Sequence, residues 1–451
     1  MKILLIHPVV RKWAEPNCFP SGLGYLAVML ERAGHDVEVY DMNATRPTQA
    51  EFERYIAESD YDIAGIGGFI TVYRTLKQLI ADLKSIHPDR PVVVGGSSAT
   101  SAPQAMMDFT KADILCIGEG ERTIVDIADC VSRGGDVSRV DGIWWRGSDG
   151  GAVVNPPRAC IMNLDELPFP RWDLFPMDVY AKNPIGAVNV NKWDDGSGGD
   201  DVATSMNLVS SRGCAYQCTF CYHDFMGVKF RYRSAENIFS EMVELREKYG
   251  IRYFHFTDDC FITNRNNVKR LCDIILREGF EAEWGCAGRV NLMNEPLIAK
   301  MKEAGCTFIG YGIESGSQKM LDLMKKKVTV EQARAAIELT REYLGWADCS
   351  FIVGMPGETR ETIQETIDFC KSLDIAPEVI FFATPYPGTE LYRIAMDRGL
   401  IPDIEEFLLG LGEQGEKVRV NFTDFSDEEL TSIKESMVRE LKAWNTRIHD
   451  E

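Results

Sequence analysis

No uninterrupted apolar run in the 451-residue sequence reaches the length of a bilayer crossing, so no part of it is expected to span a membrane. Basic residues are also in deficit: 49 Lys and Arg stand against 69 Asp and Glu, a formal net charge of −20. A phosphate-backbone partner calls for clustered Lys and Arg, so this balance argues against nucleic acid. It is compatible with a small cationic substrate, and solubility explains it equally well. The opening "MKILLIHPVV" lacks the apolar core and small-residue cleavage site of a signal peptide. It reads as a first strand, and a cytoplasmic location is expected. Internal repeats and long low-complexity tracts are missing. So is a disulfide framework, because most of the 13 cysteines are scattered singly through β-rich or helical stretches. Cys116, Cys130, Cys272 and Cys370 fit buried thiols.

What is present is an α/β chain long enough for two or three domains. Over residues 1–140, "KILLIHP", "DVEVYD", "DIAGIGG", "PVVVGGSS" and "ADILCIGEG" alternate with helical stretches, which predicts a doubly wound parallel sheet of Rossmann type. Ligands of such sheets sit beyond the carboxyl ends of the strands, where Gly67, Gly68, Gly95, Gly96, Gly118 and Gly120 cluster. Glycine is also the default residue of tight strand-to-helix turns, so both readings stand. Residues 141–205 form a connector, with the Pro-rich aromatic "LPFPRWDLFP" and an acidic, Gly-rich loop from Trp193 to Asp201. That loop is either solvated or a lid whose carboxylates meet a cationic substrate. Over 206–390 a second alternation of six strand–helix units predicts a partial parallel barrel with polar strand ends at one mouth. The tail, 391–451, is helical, and Ser426 with Glu429 forms a capping-box pattern.

The stretch "SRGCAYQCTFCYH" follows the first strand of the second alternation. It places Cys214, Cys218 and Cys221 in one loop at the mouth. Thiolates suit zinc or iron–sulfur clusters. His223 could complete a zinc set, although the loop is too tight for ordinary finger spacing. Three thiolates can instead hold three irons of a [4Fe–4S] cube and leave the fourth open.

The C-x3-C-x2-C loop after a first barrel strand resembles the radical S-adenosylmethionine (SAM) superfamily. The resemblance implies a [4Fe–4S] cluster on Cys214, Cys218 and Cys221. It also implies SAM bound through its methionine part to the open iron, and a 5′-deoxyadenosyl radical formed with an electron from an external donor. Further positions follow from it. Phe220 matches the aromatic before the third cysteine, and Tyr222 would lie near the adenine. Asp258, with Asp259, occupies the strand end that meets the SAM amino group. Glu314 and Ser315 match the ribose and carboxylate position, and Gly354 lies in the fifth-strand motif near the adenine. Arg289 is a further cofactor-binding candidate at the mouth. Tyr216, His255 and Asp259 are the expected catalytic groups, with loop packing and a plain barrel-wall role open for Tyr216 and His255; Glu358 and Glu378 are further carboxylates near strand ends.

The N-terminal sheet, with "VVVGGSSAT" and "GEGERT", is similar to the cobalamin-binding domain joined to many radical SAM enzymes, a branch that includes C-methyltransferases and cyclases. The D-x-H-x-x-G signature is absent, "GGSSAT" has no His after its glycine pair, and the bulky "VRKWAEP" could crowd a corrin. Cobalamin is therefore not expected. In length and loop sequence the chain looks most like the radical SAM 1,2-diol dehydratases of apramycin-type aminoglycoside biosynthesis. That likeness implies a lyase removing the 3′-hydroxyl of a paromamine-like aminoglycoside, with a separate NADPH-dependent reductase. A cobalamin-dependent methyltransferase or cyclase is the alternative.

Overall fold

The computed structural model describes residues 1–183, 204–223, 230–377, 380–412, 415 and 417–450. The acidic loop at 193–201 and Glu378 lie outside them.

The first sheet contains β1 (Lys2–His7), β2 (Asp36–Asp41), β3 (Ile63–Gly67), β4 (Val92–Gly95), β5 (Ile114–Cys116), β6 (Ile143–Arg146) and β7 (Ala152–Val154), in the order β2-β1-β3-β4-β5-β6-β7. The first five are parallel. Their apolar runs are buried on both faces: Leu4, Ile6, Ile66 and Val94 enter one core and Ile3, Leu5, Ile63 and Val93 the other. That two-sided burial is why the strands read as continuous rather than alternating. Because β1 lies between β2 and β3, strand order reverses there and opens a crevice at the carboxyl ends. The sheet continues antiparallel through β6 and β7, residues that the expected boundary at 140 assigns to the connector.

The second sheet is wholly parallel. It runs in the order β15-β14-β13-β12-β11-β8, from β8 (Ser205–Leu208) through β11 (Tyr253–Phe256), β12 (Glu283–Gly288), β13 (Cys306–Glu314) and β14 (Asp348–Val353) to β15 (Ile380–Phe382). Among the described residues β8 and β15 do not pair, so the sheet stays open, as the six-unit pattern predicts. Phe254 and Phe256 face the covering helices, which turns Tyr253 and His255 into the concave side. Gly285, Gly310 and Gly312 lie on that side: an added Cβ would press Gly285 onto Phe308 (2.8 Å), Gly310 onto Asp348 (3.4 Å) and Gly312 onto Lys326 (3.2 Å).

The connector ties the two sheets together. Phe19 packs against Trp172, Phe175 and Tyr180 at ring distances of 4.3, 4.8 and 5.9 Å. Asn207 on β8 accepts from the Phe19 amide at 2.7 Å and donates to its carbonyl at 3.1 Å and to Ser21 Oγ at 3.2 Å. In the tail, Ser426 Oγ accepts from the Glu429 amide at 3.2 Å, while the Glu429 carboxylate turns to Arg360. The helix Ile404–Gly410 returns to the first domain, where Leu408 and Leu411 join its core.

Candidate active site

Beyond β8 the chain enters a short antiparallel hairpin of β9 (Ser211–Arg212) and β10 (Arg231–Tyr232). Asp258, buried just past β11, fixes that entry. Its carboxylate accepts from the Ser210 amide at 3.1 Å, from Ser210 Oγ at 3.0 Å and from Ser211 Oγ. Burial pushes its carboxyl up to about 6 against the pull of those donors. Gly213, at φ 77°, makes the turn into the cysteine loop. Midway along the loop, Thr219 donates its amide to Met324 O at 3.0 Å and accepts from the Leu391 amide at 2.8 Å.

Cys214 is half-buried, Cys218 buried and Cys221 exposed. Burial pushes the Cys214 thiol above its ordinary range, the Tyr216 amide pulls it back, and the Asp259 charge adds to the rise. The three sulfurs are close enough to act on one another's charge. Among the described residues no three His, Cys, Asp or Glu side chains close on a single ion. Thiols spread in this way, with a buried guanidinium beside one of them, fit a cluster whose thiolates bind separate irons.

That guanidinium belongs to Arg289. Its Nη1 lies 3.7 Å from Cys218 Sγ, Nη2 donates to Lys326 O, and the group stacks 3.5 Å above the Tyr216 ring. Its Nε is buried without a partner among the described residues. A desolvated stack of this kind contributes about 2 kcal/mol. The Tyr216 hydroxyl receives only a long 3.5 Å bond from Asn291. Lys326 pairs with Glu314 at 2.6 Å, both nearly buried, and its ammonium sits 5.7 Å from the Phe220 ring centre. Glu314 has a left-handed φ of 69° where β13 shifts register against β14, a strained placement for a residue with a Cβ.

The structure therefore brings Cys214, Cys218, Cys221, Tyr216, Phe220, Arg289 and Glu314 together, with Asp259 exposed beside them and its charge felt by Cys214 and Cys221. Other expected residues are engaged elsewhere. Asp258 is committed to the loop entry. Ser315 Oγ is 3.0 Å from Thr366 Oγ1 and accepts from the Ser317 amide. Gly354, at φ 89°, donates its amide to the buried Glu358, whose carboxyl burial pushes up to about 7. The Tyr222 ring lies against Gly388, at φ 86°, and leaves no room there for a Cβ. His255 sits deeper on the concave side between Tyr253 and Phe308; burial lowers it to about 4, and its Nδ1 has no partner among the described residues. Lys326, Thr219 and Asn291 were not singled out by sequence, where only the basic run "MKKKV" marks the first.

At the crevice of the first sheet, backbones approach too closely for side chains. A Cβ on Gly67 would lie 2.9 Å from Gly95 O, and one on Gly96, at φ 80°, 2.9 Å from Gly68 O. The segment "VRKWAEP" is tied down by its backbone, and its bulkiest side chain is largely exposed. Arg46 grips Arg11 O at 2.6 Å and Ala14 O at 2.7 Å, and Trp13 is 65% exposed. Phe69, directly after the first glycine pair, is 64% exposed. His7, at the end of β1, is buried with Nε2 unpartnered among the described residues. Half-buried glycines with bare backbone, and the unpartnered His7 Nε2 at the end of the neighbouring strand, fit a site for a large planar cofactor.

Comparison with known proteins agrees with this geometry. A model of the radical SAM superfamily matches residues 208–370, and one of the B12 binding domain matches residues 8–128. An uncharacterized methyltransferase of Pyrococcus horikoshii is 35% identical over 413 residues, covering 89% of this chain and 84% of that protein. The cytidylyl-2-hydroxyethylphosphonate methyltransferase of Streptomyces wedmorensis is 28% identical, covering 99% of this chain and 91% of its own. The radical SAM methyltransferase TsrM of Kitasatospora setae, solved with cobalamin and a [4Fe–4S] cluster, shares the fold: its TM-score is 0.70 at 21% identity, over 89% of this chain and 75% of that one.

Two expectations are overturned. The expected lack of cobalamin fails against the B12-binding match over residues 8–128, which takes in both "VRKWAEP" and "GGSSAT", and Trp13, the bulkiest residue of the first, is 65% exposed and not buried. The diol dehydratase reading fails because the relatives matching most of the chain are methyltransferases and cyclases. The lyase assignment, the aminoglycoside substrate and the NADPH-dependent reductase lose their basis with it. Among the described residues no helix is long and apolar enough to cross a membrane.

Proposed function

The chain belongs to the radical SAM superfamily and carries a B12-binding domain ahead of its barrel, and from that premise we propose that it is a cobalamin-dependent radical SAM methyltransferase. The observation that carries the reading is the 35% identity to a methyltransferase across both domains, joined to the bare-backbone glycine edge on the first sheet. When bound, cluster, SAM and cobalamin supply the electron, the radical chemistry and the methyl carrier.

The chain's own residues then bind, orient and shield. Cys214, Cys218 and Cys221 hold the cluster, with the Arg289 guanidinium beside the Cys218 sulfur. Lys326 and Glu314 present a buried charge pair beside Phe220, complementary to the zwitterionic end of SAM. Tyr222 on Gly388 and the Gly354 turn wall the mouth. Gly67, Gly68, Gly95 and Gly96 admit the corrin against bare backbone. Inside the barrel His255, neutral through burial, offers a nitrogen to a substrate hydrogen-bond donor. Tyr216 is assigned to packing under Arg289. An external one-electron donor serves the cluster.

The test is anaerobic reconstitution with iron, sulfide and hydroxocobalamin, followed by incubation with SAM and reductant. S-adenosylhomocysteine should form only when cobalamin is present. Formation of 5′-deoxyadenosine alone, at the same rate with and without cobalamin, would reject the methyltransferase reading.

A further inference from the structure

Four charged side chains sit in the seam between the domains, apart from the cluster and from the glycine edge. In "GEGERT", Glu119 lies in the loop just after β5 and Glu121 opens the helix Glu121–Ser132 that follows. Arg212 and Arg231 face each other across the β9–β10 hairpin that carries the cysteine loop, Arg212 two residues ahead of Cys214. Glu119 Oε1 takes Arg212 Nη1 at 2.7 Å and Arg231 Nη1 at 2.8 Å, and Glu121 takes the other arm of Arg212. The same Arg231 nitrogen reaches Ile161 O at 2.6 Å, and the Ile161 amide donates to Glu119 Oε2 at 2.6 Å. All four side chains are at most 6% exposed. The Tyr25 ring lies 5.6 Å from the Arg212 guanidinium.

Burying two carboxylates and two guanidiniums is a poor route to stability, since desolvation commonly cancels the attraction. Such a set is better suited to fixing geometry, and its connections show which geometry. From Glu119 the loop runs straight to Gly118, at φ 76°, whose amide donates to Thr100 Oγ1 at 2.9 Å. Thr100 lies in the helix that begins at Gly96, the residue whose backbone abuts Gly68. From the same carboxylate the other way, Arg212 leads through the Gly213 turn to Cys214. One carboxylate thus holds both strands at the base of the cysteine loop and the turn next to the glycine edge.

We propose that Glu119 is a positioning residue that links the two cofactor sites, so that ordering the cysteine loop around a cluster pre-orders the corrin edge and the reverse. The inference rests on the cobalamin reading above. Whichever cofactor binds first bears the ordering of the shared network, and the second binds more tightly. Linkage makes the effect reciprocal, in the usual range of about 5–150-fold.

The test measures hydroxocobalamin binding by absorbance titration of the full chain in two forms, cluster-free after chelation and anaerobically reconstituted. In wild type the dissociation constant should be at least about fivefold lower with the cluster in place. In Glu119→Gln, which keeps the shape and removes the charge, that ratio should fall towards one. A purely structural role would weaken binding in both forms and leave the ratio unchanged, which would overturn the proposal. Equal constants for the two forms of wild type would overturn it as well, and that comparison needs no variant. If Glu119→Gln fails to fold, Glu121→Gln, which removes one ion pair of the set, should lower the ratio part of the way; an unchanged ratio there counts against the proposal. Failure of cobalamin to bind either form would sink the cobalamin reading itself, an outcome distinct from binding without coupling.

Discussion

Glu358→Gln isolates one buried titration from every other. Glu358 is 5% exposed, at the turn after β14, where it accepts from the Gly354 amide and burial pushes its carboxyl up to about 7 from 4.5. A folded-state pKa above the unfolded value means that the native state holds the proton more tightly. The stability this group contributes is therefore complete below about 4.5 and is lost as pH rises through about 7. The whole shift is about 3.4 kcal/mol at 1.36 kcal/mol per pH unit. Integrating the linkage relation between pH 6 and 8 leaves about 1.3 kcal/mol lost over that interval. Glutamine can accept the same amide and does not titrate. The stability of Glu358→Gln relative to wild type should therefore rise by about 1.3 kcal/mol between pH 6 and 8. Guanidinium unfolding followed by circular dichroism at pH 6, 7 and 8 reads the difference, and all other titrating groups cancel between the two proteins. Parallel stability profiles over that range would show that the carboxyl does not titrate there and would refute the burial argument.

Three other outcomes follow from side chains that hold the site. Tyr216→Phe should leave stability within about 0.5 kcal/mol, because the hydroxyl has only a 3.5 Å contact, whereas Tyr216→Ala removes the ring under Arg289 and should cost about 2 kcal/mol; thermal unfolding separates them. Should the hydroxyl instead move protons, product formation by Tyr216→Phe would fall by about 10²-fold or more at unchanged stability. Asn207→Ala leaves the buried Phe19 amide without its 2.7 Å acceptor and should destabilise the chain by about 1–3 kcal/mol in denaturant unfolding. Cys218→Ala should abolish the cluster's visible absorbance and its iron while the far-ultraviolet circular dichroism stays that of wild type; a variant retaining full iron would remove Cys218 from the ligand set.

Much of the architecture is readable in the sequence because its signals are local. Each expected strand, from "KILLIHP" to "EVIFFATP", is a short apolar run with its own turn, and burial on one or two faces follows from that run alone. The cysteine loop is legible for the same reason. What fails is what depends on direction and distance. "VRKWAEP" is bulky on paper, but its bulk matters only where Trp13 packs, and Trp13 is largely exposed in a segment that Arg46, more than thirty residues on, ties down. Asp258 looks like a free strand-end acid until Ser210 and Ser211 fold against it. Glu119 and Arg212 lie 93 positions apart, and Lys326, which sits between left-handed Lys325 and Lys327, meets a Glu314 on a different element. The return of the Ile404–Gly410 helix to the first sheet has no local signature either, since its apolar residues would serve any partner.

Cofactor stoichiometry tests the central claim most directly. Full-length protein reconstituted anaerobically with iron, sulfide and hydroxocobalamin, then desalted, should carry about four irons and about one corrinoid per chain, read by metal analysis and absorbance. Four irons with no retained corrinoid would contradict the account.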